Sequence, residues 1–146
     1  MRPEIYKAQE KDYPELADVW EDSVRATHDF LSEADIRFYK PLVLHEYLKA
    51  VALFCTRGAA GDITGFVGIA GNKIEMLFIR PDARGNGAGK ALLSFAVEEK
   101  GADTVDVNEQ NAQAVGFYLH MGFRVTGRSE VDGAGKPFPI LFMERP

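Results

Sequence analysis

The chain has 146 residues, 46% of them apolar and 27% charged, which suits one domain spanning 1–146 with a proper core and leaves little for a second. No apolar run approaches the roughly 20 residues of a membrane span, and the first residues, Met1-Arg2-Pro3-Glu4-Ile5-Tyr6-Lys7, lack the apolar stretch of an export signal, so a cytoplasmic protein is expected. A net charge of −5 argues against nucleic acid or an anionic membrane as the main partner and leans toward a cationic one.

Residues 5–8 form a short strand candidate, and Asp12 is placed to cap a helix carrying Leu16, Val19, Trp20 and Val24 at helical spacing. Ser32, with Asp35 three residues on, opens a second helical segment that Pro41 is expected to interrupt. From residue 50 the pattern changes to strands over 50–56, 63–70 and 73–80, with Gly58, Gly61 and Asp62 marking one turn and Gly71-Asn72 a tight hairpin. Cys55, the one cysteine, lies in a stretch that reads as core strand; it has no partner for an internal disulfide and no local base to make it a nucleophile. Ala88, Ala91, Leu92, Phe95 and Ala96 mark an amphipathic helix that Gly101 stops. Residues 104–108 are the next strand, and a helix from near Asn111 runs to Gly122, a position suited to a left-handed cap. Residues 123–128 and 138–143 close the chain as a hairpin. Strands and helices alternate only in the middle, so the expected fold is an α/β (α+β) one, a mixed, mostly antiparallel sheet flanked by helices.

Arg84-Gly85-Asn86-Gly87-Ala88-Gly89-Lys90 joins a strand-like run to a helical one. Glycines there let backbone N–H groups converge, and the helix adds its unpaired amides and positive dipole end, which together make an anion cradle fit for a diphosphate. A P-loop would need a glycine where Arg84 stands and a hydroxyl where Ala91 stands. A dinucleotide fingerprint read from Gly85 and Gly87 meets Lys90 where its third glycine belongs, and the loop lies past the middle of a short chain.

Arg84, Gly87 and Gly89 instead resemble the Arg/Gln-x-x-Gly-x-Gly/Ala pattern of the GNAT superfamily of acyl-CoA N-acyltransferases. A second motif, Asn111-x-x-Ala114-x-x-Phe117-Tyr118-x-x-x-Gly122-Phe123, is similar to that superfamily's Asn-x-x-Ala-x-x-Phe-Tyr-x-x-x-Gly-Phe, with each key position filled. Together the motifs cover roughly 63 to 128. The stretches 26–31, 107–111 and 125–132 are similar to the bacterial YjaB-type branch.

The resemblance implies a sheet of about six to seven strands with about four helices and a V-shaped splay between the two central strands. It also implies acetyl-CoA as co-substrate, with no metal, and an amine acceptor that is a protein lysine or a small molecule. The coenzyme would run along Leu77, Phe78 and Ile79, lay its diphosphate over Arg84, Gly85, Asn86, Gly87, Ala88, Gly89 and Lys90, and meet Asn108, Asn111, Phe117 and Tyr118. Main-chain N–H groups of Leu77 or Ile79 would polarise the acetyl carbonyl. Tyr118 would protonate the leaving thiolate, a task its phenol suits because it stays protonated at working pH; the alternative is an ordinary core tyrosine. Asn111 would contact the pantetheine arm or cap its helix.

For the base, alternation along 104–108 puts Asp106 and Asn108 on one face, where the carboxylate could enter a cleft. Glu75 is the competitor, placed by alternation on one face with Leu77 and Ile79, and His28 is a third candidate. The acceptor pocket would be built by 25–50 and 129–137, making His28 and Phe30, with Asp29, Glu130 and Asp132, its hypothetical residues. Monomer and homodimer both remain open. Two other functions do as well: a module that binds acyl-CoA without transferring the acyl group, and a dinucleotide-dependent enzyme with a convergent loop.

Overall fold

A computed structural model describes residues 3–146. Among these residues, seven strands form one sheet: β1 (Tyr6–Lys7), β2 (Ala52–Arg57), β3 (Ile63–Ala70), β4 (Lys73–Ile79), β5 (Thr104–Asn108), β6 (Arg124–Ser129) and β7 (Ile140–Glu144). Their order across the sheet is β1-β2-β3-β4-β5-β7-β6. Every neighbouring pair is antiparallel except β4 and β5. That parallel pair needs a crossover, which α3 (Ala88–Lys100) supplies; the other helices are α1 (Tyr13–Thr27), α2 (Glu33–Leu42) and α4 (Ala112–His120). None of the helices among the described residues is long and apolar enough to cross a membrane.

The sheet separates two apolar layers. On one face Leu16, Val19 and Trp20 of α1 and Ile36 of α2 pack on Cys55, Phe66 and Met76. On the other, Leu92, Leu93 and Ala96 of α3 and Tyr118 of α4 pack on Val67, Ile74, Val105 and Val107. Cys55 is fully buried and free.

The termini of α2 show where local chemistry succeeds and where it yields. Ser32 Oγ accepts from the Asp35 amide at 3.1 Å while the Ser32 amide donates to Asp35 Oδ2 at 3.0 Å, a reciprocal capping box. Ser32→Ala should cost about 1 kcal/mol of stability by urea denaturation. Pro41 does not interrupt this helix as expected: α2 runs through it to Leu42 and then widens into a π-helical segment, Val43–Tyr47, before a last turn, Leu48–Ala50. Proline removes one amide donor from the ladder, and the chain absorbs that loss by changing its hydrogen-bond spacing rather than by ending. The next strand therefore begins at Ala52, two residues later than expected. Asp12 likewise makes no side-chain cap on α1; its carboxylate accepts from the Gln9 amide at 2.8 Å in the preceding turn.

Two features of β4 shape the site. In its pairing with β3, Gly68 faces Met76 while Ile69 faces Ile74, so Glu75 is an extra, unmatched residue: a β-bulge. Alternation slips there, sending Ile74 to the α3 side and Met76 to the α1 side. Toward β5, pairing holds only at Lys73 with Thr104 and Ile74 with Val105, and beyond that point the two strands part. The open wedge between them leaves main-chain donors and acceptors of β4 free on that edge.

Candidate active site

The glycine loop lies directly beyond the open end of β4. After a short turn, Pro81–Ala83, Gly85 and Gly87 take φ of +82° and +80°, and Gly87 is the N-cap of α3 with no side-chain cap on the first amides. Left-handed backbone at two positions in three costs little for glycine and about 1–2 kcal/mol for any other residue. The uncapped amides of α3 and its positive dipole end thus face outward, ready for an anion.

Two cavities adjoin this framework. One, of about 380 Å³, is lined by Leu77, Phe78 and Ile79 of β4, Arg84, Gly85, Gly87, Ala88, Gly89 and Lys90 of the loop and α3, and Asn111, Phe117 and Tyr118 at α4. The other, of about 540 Å³, lies on the α1 and α2 side and is lined by Trp20, Tyr39, Tyr47, Glu75, Met76, Asp132 and Phe138 among others. Among the described residues, only His28 and Phe78 border both.

Tyr118 is 5% exposed, with its ring edge-on to Phe117 and Phe123 at centroid distances of 5.3 and 5.6 Å. Burial pushes its pKa well above the ordinary phenol value. No group among the described residues bonds its hydroxyl, and no buried side-chain oxygen there is left unpartnered, so the hydroxyl opens on the smaller cavity it lines. Asn111 Oδ1 accepts from the Ala114 amide at 3.2 Å, the helix cap. Arg84 bridges α4 and α1, reaching Gln113 Oε1 at 3.3 Å and Ser23 Oγ at 3.4 Å.

Several expected site residues stand elsewhere. Asp106 does not point into a cleft: Lys73 Nζ pairs with it at 2.6 Å, and it lines neither cavity. The parallel register that sets Lys73 beside Thr104 brings the ammonium within reach. Glu75 does not share a face with Leu77 and Ile79; the bulge turns it to the larger cavity with Met76 and Phe78, where it is exposed and 3.7 Å from Lys73 Nζ. Asn108 borders the larger cavity rather than the loop side, and Asn86 borders neither. Phe30 backs His28 at 5.2 Å and Phe138 at 5.7 Å without lining a cavity. Glu130 is 84% exposed and paired with Arg128, and Asp29 is exposed.

Asp132, by contrast, lines the larger cavity, accepts the Tyr39 hydroxyl, and takes the Ala134 and Lys136 amides at 3.0 Å. Sequence reasoning missed Ser23, Thr27 and Gln113 on the loop side and the aromatic wall of Tyr39, Tyr47 and Phe138 on the other. One signal was available, since Ser23 interrupts the apolar face of α1, and a serine that is only 3% exposed needs a partner for its hydroxyl.

His28 ends α1. Burial lowers its pKa to about 4, the positive charge of Arg84 adding to this and Asp29 opposing it. The unfolded imidazole titrates near 6.5, so between that value and about 4 the unfolded chain binds a proton that the folded one refuses. Stability contributed by neutral His28 is therefore full above about pH 6.5 and is lost as pH falls toward 4. Thermal melts at pH 7 and pH 5 should show a smaller drop for His28→Asn than for the wild type.

Comparison with known proteins accords with this layout. The acetyltransferase (GNAT) domain family matches residues 20–139. A peptidyl-lysine N-acetyltransferase YjaB of Salmonella typhimurium is 44% identical over 137 residues, covering 94% of each chain. The Escherichia coli protein of the same name is 42% identical, over 94% of this chain and 92% of its own. The solution structure of apo-form YjaB from Escherichia coli superposes with a TM-score of 0.86 at 41% identity, covering 99% of this chain and 97% of that one. With both motifs, the parted central strands and these relatives in agreement, the chain belongs to the GNAT acetyltransferases, enzymes that pass an acetyl group from acetyl-CoA to an amine.

Proposed function

We propose that this protein acts as a single domain in the cytoplasm and acetylates lysine side chains of proteins, with acetyl-CoA and acceptor bound together and the amine attacking the thioester directly. The observation that carries this reading is the pair of cavities meeting at His28 and Phe78. One offers an anion cradle and a free strand edge suited to a diphosphate and a pantetheine arm; the other offers an apolar, aromatic channel with the carboxylates of Glu75 and Asp132, suited to an alkylammonium chain. The names of the YjaB relatives favour a peptidyl lysine over a small amine.

In this reading the coenzyme lies along Leu77, Phe78 and Ile79, with Arg84 and the loop amides on the diphosphate and free β4 amides on the acetyl oxygen. A lysine amine is about one-thousandth neutral near pH 7.4, a handicap of roughly 4 kcal/mol. Glu75 attracts the ammonium into the larger cavity, and desolvation there favours its neutral form. Tyr118, held protonated by burial, supplies the proton the departing thiolate takes. The test is thiol release from acetyl-CoA with lysine-containing proteins and peptides, alongside calorimetric binding with NADH as control. Binding of acetyl-CoA with lysine-dependent thiol release supports the reading; binding without turnover reduces the protein to an acyl-CoA module, and preference for NADH removes the coenzyme assignment.

A further inference from the structure

The carboxylates considered for the base leave a gap: Asp106 is engaged by Lys73, and Glu75 borders only the acceptor cavity. His28 borders both cavities, where nitrogen and thioester must meet. Its protonation pattern follows from a chain of two short contacts. Thr27 Oγ1 lies 2.8 Å from the Ser23 carbonyl oxygen and 2.8 Å from His28 Nδ1. Two oxygens at that distance need a hydrogen between them, and the one hydroxyl hydrogen of Thr27 is the only one available, because a carbonyl has none. Thr27 therefore has no proton left to give the ring, so Nδ1 carries the hydrogen and donates it to Thr27 Oγ1. Nε2 is then the bare, basic nitrogen. No group among the described residues bonds Nε2, and no buried side-chain nitrogen there lacks a partner, so its lone pair opens on the cavities.

We propose that His28 is the general base of the transfer, with Thr27 as the positioning residue that holds it in the Nδ1–H tautomer. This rests on acetyl transfer to an amine as the reaction. The neutral amine attacks the thioester carbon, forming the C–N bond; the nitrogen becomes acidic as it does so and gives a proton to Nε2. The C–S bond then breaks, and the thiolate takes a proton from Tyr118. The imidazolium proton restores the phenol, directly or through water, so one proton has moved from nitrogen to sulfur and no charge is left over. Burial keeps the ring neutral at rest, and a diphosphate beside Arg84 offsets the guanidinium charge that weakens the base.

The test compares wild type, His28→Asn and Thr27→Val with acetyl-CoA and two acceptors, a lysine peptide and an amine of low basicity such as trifluoroethylamine. Asparagine keeps an N–H near the Nδ1 position for Thr27 and removes the Nε2 base. With lysine, His28→Asn should lose about 100-fold or more in kcat, with calorimetric acetyl-CoA binding unchanged, while Thr27→Val should lose less. With the weakly basic amine the His28→Asn deficit should shrink, because that nitrogen sheds its proton without help. Full kcat in His28→Asn, or an equal deficit with both amines, would overturn the assignment; full kcat in His28→Asn together with a large loss in Glu75→Gln would move the base to Glu75. A wild-type protein that binds acetyl-CoA yet acetylates neither amine would overturn the transfer reading and this role with it.

Discussion

Gly87→Glu should weaken acetyl-CoA binding about 1000-fold while leaving a folded protein. Two effects combine at this position. Gly87 has φ of +80°, so any side chain strains the turn by about 1–2 kcal/mol. The added carboxylate also meets the diphosphate; two unit charges about 4 Å apart repel by about 4 kcal/mol at an effective dielectric near 20, and every 1.4 kcal/mol is tenfold in affinity. Repulsion, not strain, decides the outcome. Gly87→Ala separates the two, since it carries the strain without the charge and should bind with a modest loss. Isothermal calorimetry reads the affinities and thermal melting the strain. Wild-type affinity in Gly87→Glu would place the diphosphate away from this loop.

Tyr118→Phe should lower kcat by about 10²- to 10⁴-fold, the range for removal of a positioned acid or base, at unchanged KM for acetyl-CoA and unchanged melting temperature. Stability should hold because the hydroxyl bonds nothing among the described residues and opens on a cavity, while the ring contacts with Phe117 and Phe123 survive in phenylalanine. Deleting a satisfied buried hydroxyl would instead destabilise by about 1 kcal/mol. Steady-state thiol release and differential scanning fluorimetry on the same preparation check both halves. Retained kcat would mean that the thiolate leaves unaided; lost stability would mean that the hydroxyl serves the core.

Much of the fold was legible in short stretches. The reciprocal cap at Ser32 and Asp35, the hairpin at Gly71, the loop glycines, the stop at Gly101 and the strand at Thr104–Asn108 each rest on residues a few positions apart. Such features depend on local dihedral preference and local hydrogen bonding, which a sequence displays directly. The two motifs likewise carry their own geometry, a cradle at a helix N-terminus and a capped helix bearing Tyr118.

The sequence by itself therefore determined the order of the elements, the family and, on the loop side of the candidate site, the strand, glycine-loop and α4 residues but not Ser23, Thr27 or Gln113. Only the tertiary structure decided the other half. Strand alternation sent Glu75 to the wrong side because the bulge exists only in the register of β4 against β3, and it left Asp106 free because the parallel pairing that delivers Lys73 is invisible along the chain. The insertion of β7 between β5 and β6, the tie from Tyr39 to Asp132 across 93 positions, and the placing of His28 and Phe78 on the border of both cavities are of the same kind. Each depends on which distant segments end up side by side, a choice made by burying two apolar layers on one twisted sheet rather than by the preference of any single stretch.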